Sequence, residues 1–140
     1  MPTLRQLIRC TRAFERFSGV HVKSMGLTES QFDVIATLGN TDGMTCKELG
    51  ERTLITKGTL TGVLDRMEAR ALITRRADAS DARRTHIALT RKGHVLFAEV
   101  FPAHLTHLQR AFGRLSESEL RHLGEGLTTL RLAFEKEHAQ

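Results

Sequence analysis

Apolar residues recur at helical spacing near both ends of the chain, while the middle breaks into shorter, differently patterned pieces. From Thr3 to Lys23, Leu4, Leu7, Ile8, Phe14 and Phe17 fall at helical intervals, with Arg5, Arg9, Arg12 and Arg16 elsewhere on the surface. That spacing predicts an amphipathic helix of about five turns, ended by Met25-Gly26-Leu27. Thr28 with Gln31, Thr45 with Glu48 and Ser116 with Glu119 each make a capping-box pair: the hydroxyl accepts from an orphan amide and the second side chain reaches back. Thr56 can cap a further helix without the reciprocal partner. Gly39-Asn40-Thr41-Asp42-Gly43 breaks the chain between the first two of these helices. Two extended runs are predicted near Ile73–Arg76 and Thr85–Leu89, where Ile87 and Leu89 alternate with polar neighbours. The polar turn Ala77–Ala82, with Asp78, Ser80 and Asp81, joins them. Thr90 opens a long helix to about Gly113 with Val100, Phe101, Leu105, Leu108 and Phe112 on one side, and Pro102 within it predicts a bend. A last helix from Glu117 aligns Leu120, Leu123, Leu127, Leu130 and Phe134. The outcome is a mainly α chain with a small antiparallel β element. A compact unit over 27–90 is flanked by helical regions at 1–26 and 91–140. The apolar stripes of the flanking helices need burial, and an interlocked two-fold dimer supplies it.

Charge singles out the middle third. Between Thr45 and Lys92 there are eleven Lys/Arg and six Asp/Glu, while the rest of the chain holds ten of each sign. The net charge of +5 therefore sits on one supersecondary unit, which points to a polyanionic partner. Within it, Leu60, Val63, Leu64 and Met67 form an inward stripe on the helix from Thr56. The opposite side carries Lys57, Gly58, Thr59, Thr61, Gly62, Asp65 and Arg66. Two glycines on one helix cost roughly 1 kcal/mol each relative to alanine, so something is expected to approach that face closely. Thr59 and Thr61 suit base edges or a thymine methyl, and Lys57 a base or phosphate near the helix start. A solvated face explains any one of these residues; together, in a helix-turn-helix setting, they favour DNA. The hairpin gathers Arg75, Arg76, Arg83 and Arg84, and such a projection can insert an arginine into a narrow minor groove. Asp65 and Asp81 can each pair with Arg83 as a brace. Arg84 is therefore assigned to DNA, and Arg83 is divided between the two roles.

Composition narrows the classes. No apolar run approaches the roughly 20 residues of a membrane span, and MPTLRQLIRC lacks the apolar core of a secretory signal. Two cysteines, Cys10 and Cys46, distant in sequence, imply no disulfide framework and a reducing cytoplasm. Seven Phe with no Trp or Tyr leave few platforms for stacking single-stranded bases, so duplex outranks single strand. A nucleophile elbow, a P-loop, a dinucleotide fingerprint and an HExxH pair are all missing, which argues against an enzyme with a catalytic site or resident cofactor.

The ordered set LTESQFDVIATL, TCKELGERTLITKGTLTGVLDRMEARALI and RRADASDARRTHIALTRKG resembles the MarR family of winged helix-turn-helix transcriptional regulators over nearly the whole chain. Its most specific part is Asp81-Ala82-Arg83-Arg84 followed by Ile87-Ala88-Leu89-Thr90-Arg91-Lys92-Gly93, similar to the family's wing signature. The resemblance implies a winged helix-turn-helix DNA-binding domain plus a helical dimerisation domain, in a homodimer with intertwined terminal helices. The helix from Thr56 would enter the major groove, the wing would meet the minor groove, and two copies would read a pseudo-palindromic operator. By position, Lys57, Thr59, Thr61 and Gly62 would face the bases, with Arg66, Arg75, Arg83 and Arg84 as further DNA contacts. Asp65 would brace Arg83, with Asp81 as a second brace. Ala71 departs from the family, which usually has glycine there, so the helix end is either strained or stays helical.

The resemblance further implies a repressor released by a small phenolic or aromatic carboxylate compound, for which Phe17 and His21 are candidate ligand-binding residues. A histidine simply packed near the helix end is the plainer reading. Two alternatives stand beside this. Cys10 or Cys46 could make a thiol-based redox sensor, but family members that sense peroxide surround their cysteine with tyrosines, which this chain lacks. A winged-helix protein-interaction module would want an apolar outer face on the helix from Thr56. His104 and His107 have the spacing of a metal pair, but without an acid or Cys/His cluster nearby no metal site is assigned.

Overall fold

The computed structural model describes residues 1–139. Their elements are α1 (Pro2–Ser24), α2 (Glu29–Leu38), β1 (Met44–Thr45), α3 (Cys46–Arg52), α4 (Lys57–Ala69), β2 (Ile73–Ala77), β3 (Thr85–Leu89), α5 (Arg91–Phe112) and α6 (Glu117–His138). The chain is mostly helical with one small antiparallel sheet, ordered β1-β3-β2. All three capping boxes form, at Thr28–Gln31, Thr45–Glu48 and Ser116–Glu119. Thr90 starts α5 by accepting from the Gly93 amide at 3.0 Å. Thr56 differs: it stands at the N-cap of α4 without a side-chain cap bond, and its hydroxyl donates to Thr59 Oγ1 at 3.0 Å instead.

The hairpin pairs Ile73 with Leu89 through to Ala77 with Thr85, as the alternation of Ile87 and Leu89 requires. The third strand has no counterpart in the predicted elements. Met44 pairs with Ile87 and Thr45 with His86, a contact too short to leave a period in the sequence. It depends on Gly43, whose φ of 96° favours glycine and whose missing side chain leaves room for the Ile87 carbonyl.

The chain divides into two compact units, Met1–His104 and the residues from Leu105 onward. The first contains the hydrophobic core: Val34, Ile35 and Leu38 of α2, Leu49 of α3, Leu60, Val63, Leu64 and Met67 of α4, and Ile73 and Ile87 of the hairpin are all nearly inaccessible. Each such side chain contributes about 1.5–3 kcal/mol of burial. Four of them lie on α4, so the same stripe that anchors this helix fixes which face it turns outward. The second unit comprises the end of α5 and α6, and no residue of α6 is buried; Leu123, Leu127, Leu132 and Phe134 remain 44–58% exposed.

At the end of α4 the backbone turns at Ala71 with φ of +57°, the left-handed conformation. The amide of Ala71 donates to Glu68 O at 2.9 Å and that of Leu72 to Met67 O at 3.0 Å, the paired bonds of a Schellman cap. The alanine thus stays in the geometry that glycine adopts freely, and its β-carbon makes the turn strained by about 1 kcal/mol. Ala71→Gly should raise stability by up to about 1 kcal/mol, less the greater flexibility of the unfolded glycine, read as a shift in the urea midpoint with an unchanged slope.

Candidate nucleic-acid interface

Recognition begins with where α4 is held. Asp33 on α2 accepts a hydrogen bond from the Leu54 amide at 2.9 Å, which pins the turn between α3 and α4. The two residues are 21 apart, and no spacing rule connects them; the sequence alone leaves Asp33 without a partner. At the other end, Arg70 Nη1 donates to Gln31 Oε1 at 3.3 Å and Lys92 Nζ to Arg70 O at 2.9 Å. With its inward stripe buried, α4 exposes Lys57, Gly58, Thr59, Thr61, Asp65 and Arg66, and Gly62 is half-buried. These are the residues expected on the DNA side, and the structure brings them onto one face.

The wing is organised by its acids. Asp81 Oδ1 accepts from the Arg83 amide at 3.0 Å and from Arg83 Nε at 3.1 Å, while Arg84 Nε lies 3.7 Å from Asp81 Oδ2. Asp78 accepts from the amides of Ser80 and Asp81 at 2.8 and 3.2 Å, which folds the turn back on itself. The side chains of Arg83 and Arg84 remain 91% and 64% exposed, so both guanidinium groups stay available outside their bonds to Asp81.

Asp65 does not brace Arg83, as its position in the family pattern implied. It pairs with Arg75 Nη1 at 2.7 Å, and Glu68 takes Arg75 Nη2 and Nε at 3.0 and 3.2 Å. The reason is register: Arg75 on β2 stands opposite Ile87, well back from the tip, and meets the outer edge of α4. Arg83 sits in the turn with its own acid. Arg75, expected as a DNA contact, also clamps the recognition helix to the wing. This pairing pulls the Glu68 carboxyl below the usual carboxylate range, chiefly through the Arg75 hydrogen bonds, and Arg83 does the same for Asp81.

A second cluster lies elsewhere in the first unit. His21 Nδ1 is 2.9 Å from His104 Nδ1, and Ser18 Oγ is 3.0 Å from His104 Nε2. Of the two facing nitrogens one must carry the hydrogen and the other accept it. Phe32 packs edge-on against His104 at 4.6 Å between ring centres, and His104 is buried. His21 therefore contacts a partner on α5 that the sequence, which paired His104 with His107 by spacing, did not supply. Phe17 is half-buried on α1. Cys10 is exposed, whereas Cys46 packs partly buried against the core. Among the described residues no three His, Cys, Asp or Glu gather as metal ligands, and no helix is long and apolar enough to cross a membrane.

Comparisons with known proteins agree with this geometry. The model of the MarR family matches residues 25–84. The HTH-type transcriptional regulator MhqR of Bacillus subtilis is 28% identical over 132 residues, covering 94% of this chain and 91% of the relative. The homoprotocatechuate degradative operon repressor of Escherichia coli is 36% identical over 76 residues, 54% of this chain and 51% of that protein. In fold, the chain matches a mutant MarR from E. coli complexed with operator DNA, with a TM-score of 0.82 at 21% identity over 93% of this chain and 94% of that one.

The depressed carboxylates give a test of the clamp. A group whose folded pKa is lowered contributes stability above its unfolded pKa, about 4.3 for Glu, and loses it as pH falls through the folded value. Carbon-detected NMR titration should place Glu68 and Asp81 below that range. In Arg75→Gln, Glu68 should return to an ordinary value while Asp81, held by Arg83, stays low. Equal movement of both acids would contradict the two separate pairings.

Proposed function

The chain belongs to the MarR family, whose members are DNA-binding transcriptional regulators and not enzymes, and from this premise we propose a homodimeric repressor that a small aromatic ligand releases from a pseudo-palindromic operator. The observation that carries the reading is the outward face of α4, which is small, polar and bare while its opposite stripe is buried. A face of that kind fits the major groove, where base edges offer hydrogen-bond donors and acceptors. Lys57, Thr59, Thr61 and Gly62 contact bases, Arg66 extends that face, and Arg83 and Arg84 carry the wing to the minor groove. Asp81 holds the wing arginines, and the Asp65–Arg75–Glu68 clamp sets the wing's angle to α4.

Dimerisation is supported by what a single chain leaves exposed. Leu4, Ile8 and Phe14 on α1 and Leu123, Leu127 and Phe134 on α6 are 44–58% exposed. Contiguous apolar helix faces of this kind mark association surfaces, and a two-fold arrangement covers each with its copy. In this reading the effector binds at Phe17 and His21. His21 meets His104, which in turn meets the Ser18 hydroxyl and the edge of Phe32, and this group of polar hydrogens and an aromatic edge is the chemistry that takes a phenol or an aromatic carboxylate. The E. coli relative represses a homoprotocatechuate degradative operon, and homoprotocatechuate is a compound of that class. The site of action is the cytoplasm, where operator DNA is found.

Selection of fragmented genomic DNA by the purified protein should recover a short inverted repeat with half-sites about one helical turn apart. Arg84→Ala should then weaken binding to every fragment and reduce the slope of log affinity against log salt by about one. Recovery of random fragments that wash off in modest salt would overturn the sequence-specific reading.

For the effector, a panel of phenols and aromatic carboxylates should include at least one that lowers operator affinity. His21→Phe should raise the concentration needed roughly tenfold or more, as expected when a charge-assisted hydrogen bond is lost, measured relative to that variant's own affinity for DNA alone. An unaltered response in His21→Phe would place the ligand elsewhere.

A further inference from the structure

We propose that Arg66 is the guanine-reading residue of this recognition helix, reaching the base across a strip of backbone that Gly58 and Gly62 leave bare; the inference rests on the reading that α4 enters the major groove. At helical spacing, Gly58, Gly62 and Arg66 follow one another at intervals of four, so they form one row along the helix. Gly58 and Gly62 fall on the side of α4 away from the buried stripe of Leu60, Val63, Leu64 and Met67, with Gly62 half-buried and Arg66 rooted towards the edge of that face. A β-carbon at Gly58 would meet nothing within 4 Å. One at Gly62 would meet a single neighbour: the guanidinium of Arg66, at 3.6 Å from Nη1 and 4.0 Å from Nη2. Arg66 therefore lies back along the helix towards its N-terminus, as side chains on helices lean, and its charged end occupies the space over Gly62.

Two further observations separate Arg66 from an ordinary surface arginine. Asp65 and Glu68, its acidic neighbours on the same helix, are both bound by Arg75. Among the described residues, no ion pair or hydrogen bond engages the Arg66 guanidinium, whereas Arg70 one turn on is tied to Gln31 and to the Gly26 carbonyl. The position of the group decides what it reads. Phosphates line the edges of the groove, but a guanidinium over the middle of the outward face is directed at the floor. There its two parallel N–H groups match O6 and N7 of guanine. The glycines let the helix backbone come close enough for a side chain rooted in the third turn to arrive.

The test uses the full-length protein and the operator recovered by selection from random duplexes, with each base pair of a half-site substituted in turn. Wild type should prefer guanine at one position per half-site by roughly tenfold or more. Arg66→Lys keeps the charge but loses the fork; it should erase that preference, leave the others intact, and bind the guanine-lacking operator as wild type does. Gly62→Leu keeps Arg66 but fills its space, and should erase the same preference. Circular dichroism melts of both variants establish that they fold. A base profile of Arg66→Lys identical to wild type would overturn the proposal while leaving the regulator intact. So would a loss in Arg66→Ala spread evenly over all sequences, the behaviour of a phosphate contact. A wild-type protein with no base preference anywhere would overturn both this assignment and the sequence-specific reading on which it rests.

Discussion

One guanidinium decides how the charges of this molecule are distributed. Arg75 faces two carboxylates of α4 at 2.7 and 3.0 Å, and bidentate geometry of this type suits arginine rather than lysine. The pairing is partly exposed, so its worth in stability is modest. Its consequence is spatial. By consuming both acids on the outer edge of α4, it leaves that face with an unopposed cationic character, and by linking α4 to β2 it joins the helix and the wing. A positive surface that must approach phosphates at two places benefits from having the angle between them fixed beforehand, because ordering that happens on binding subtracts from affinity. The wing tip follows the same economy. Asp78 and Asp81 shape the turn while Arg83 and Arg84 remain largely in solvent.

Much of this architecture was legible in the chain because it is local. Capping boxes at Thr28, Thr45 and Ser116 are three-residue events, and the Leu60–Met67 stripe is a matter of helical period; both emerge where the pattern puts them. The outward face of α4 was legible for the same reason, being the complement of a stripe. The features that escaped are those in which residues far apart meet. The Met44–Thr45 strand has two residues and pairs with β3 some forty positions on. Asp33 finds Leu54 only after α2 and α3 have packed. Asp65 was given the wrong arginine because a position in a family pattern specifies which residue type is needed, whereas the strand register specifies who stands opposite. Ala71 shows the limit from the other side. Its residue type argued for strain or a continued helix, and the chain accepts the strain because Met67 and Glu68 carbonyls gain partners in return.

The histidine pair shows how α1 could serve two purposes. Its first turns carry Leu4, Ile8 and Phe14 exposed, while Gly19 and Val22 near its end are buried in the first unit. Between these lie Ser18 and His21, both in contact with His104 of α5. A stiff helix with exposed apolar residues at one end and core packing at the other couples the two mechanically, and a polar cluster at the junction is where a small energy can act. Most of the packing around it is dense and apolar, and such packing resists gradual deformation. The hydrogen bond between two imidazoles is different, since either ring can be the donor and a new acceptor or donor can replace one partner without opening a cavity.

Such a replacement need only supply free energy that differs between two arrangements of the helices. A ligand carboxylate offered to His21 would compete with His104 for the same nitrogen, and whichever bond is lost must be made elsewhere or the ring left unsatisfied in a half-buried site. That requirement sets the direction of coupling: a ligand that takes His21 would remove one contact of His104, which is buried against Phe32 of α2. Because Asp33 of α2 also holds the turn that leads into α4, movement of α2 bears directly on the position of the recognition helix. The path from His21 to the turn that precedes α4 is therefore short, and each link is a hydrogen bond or packed ring that mutation can remove one at a time.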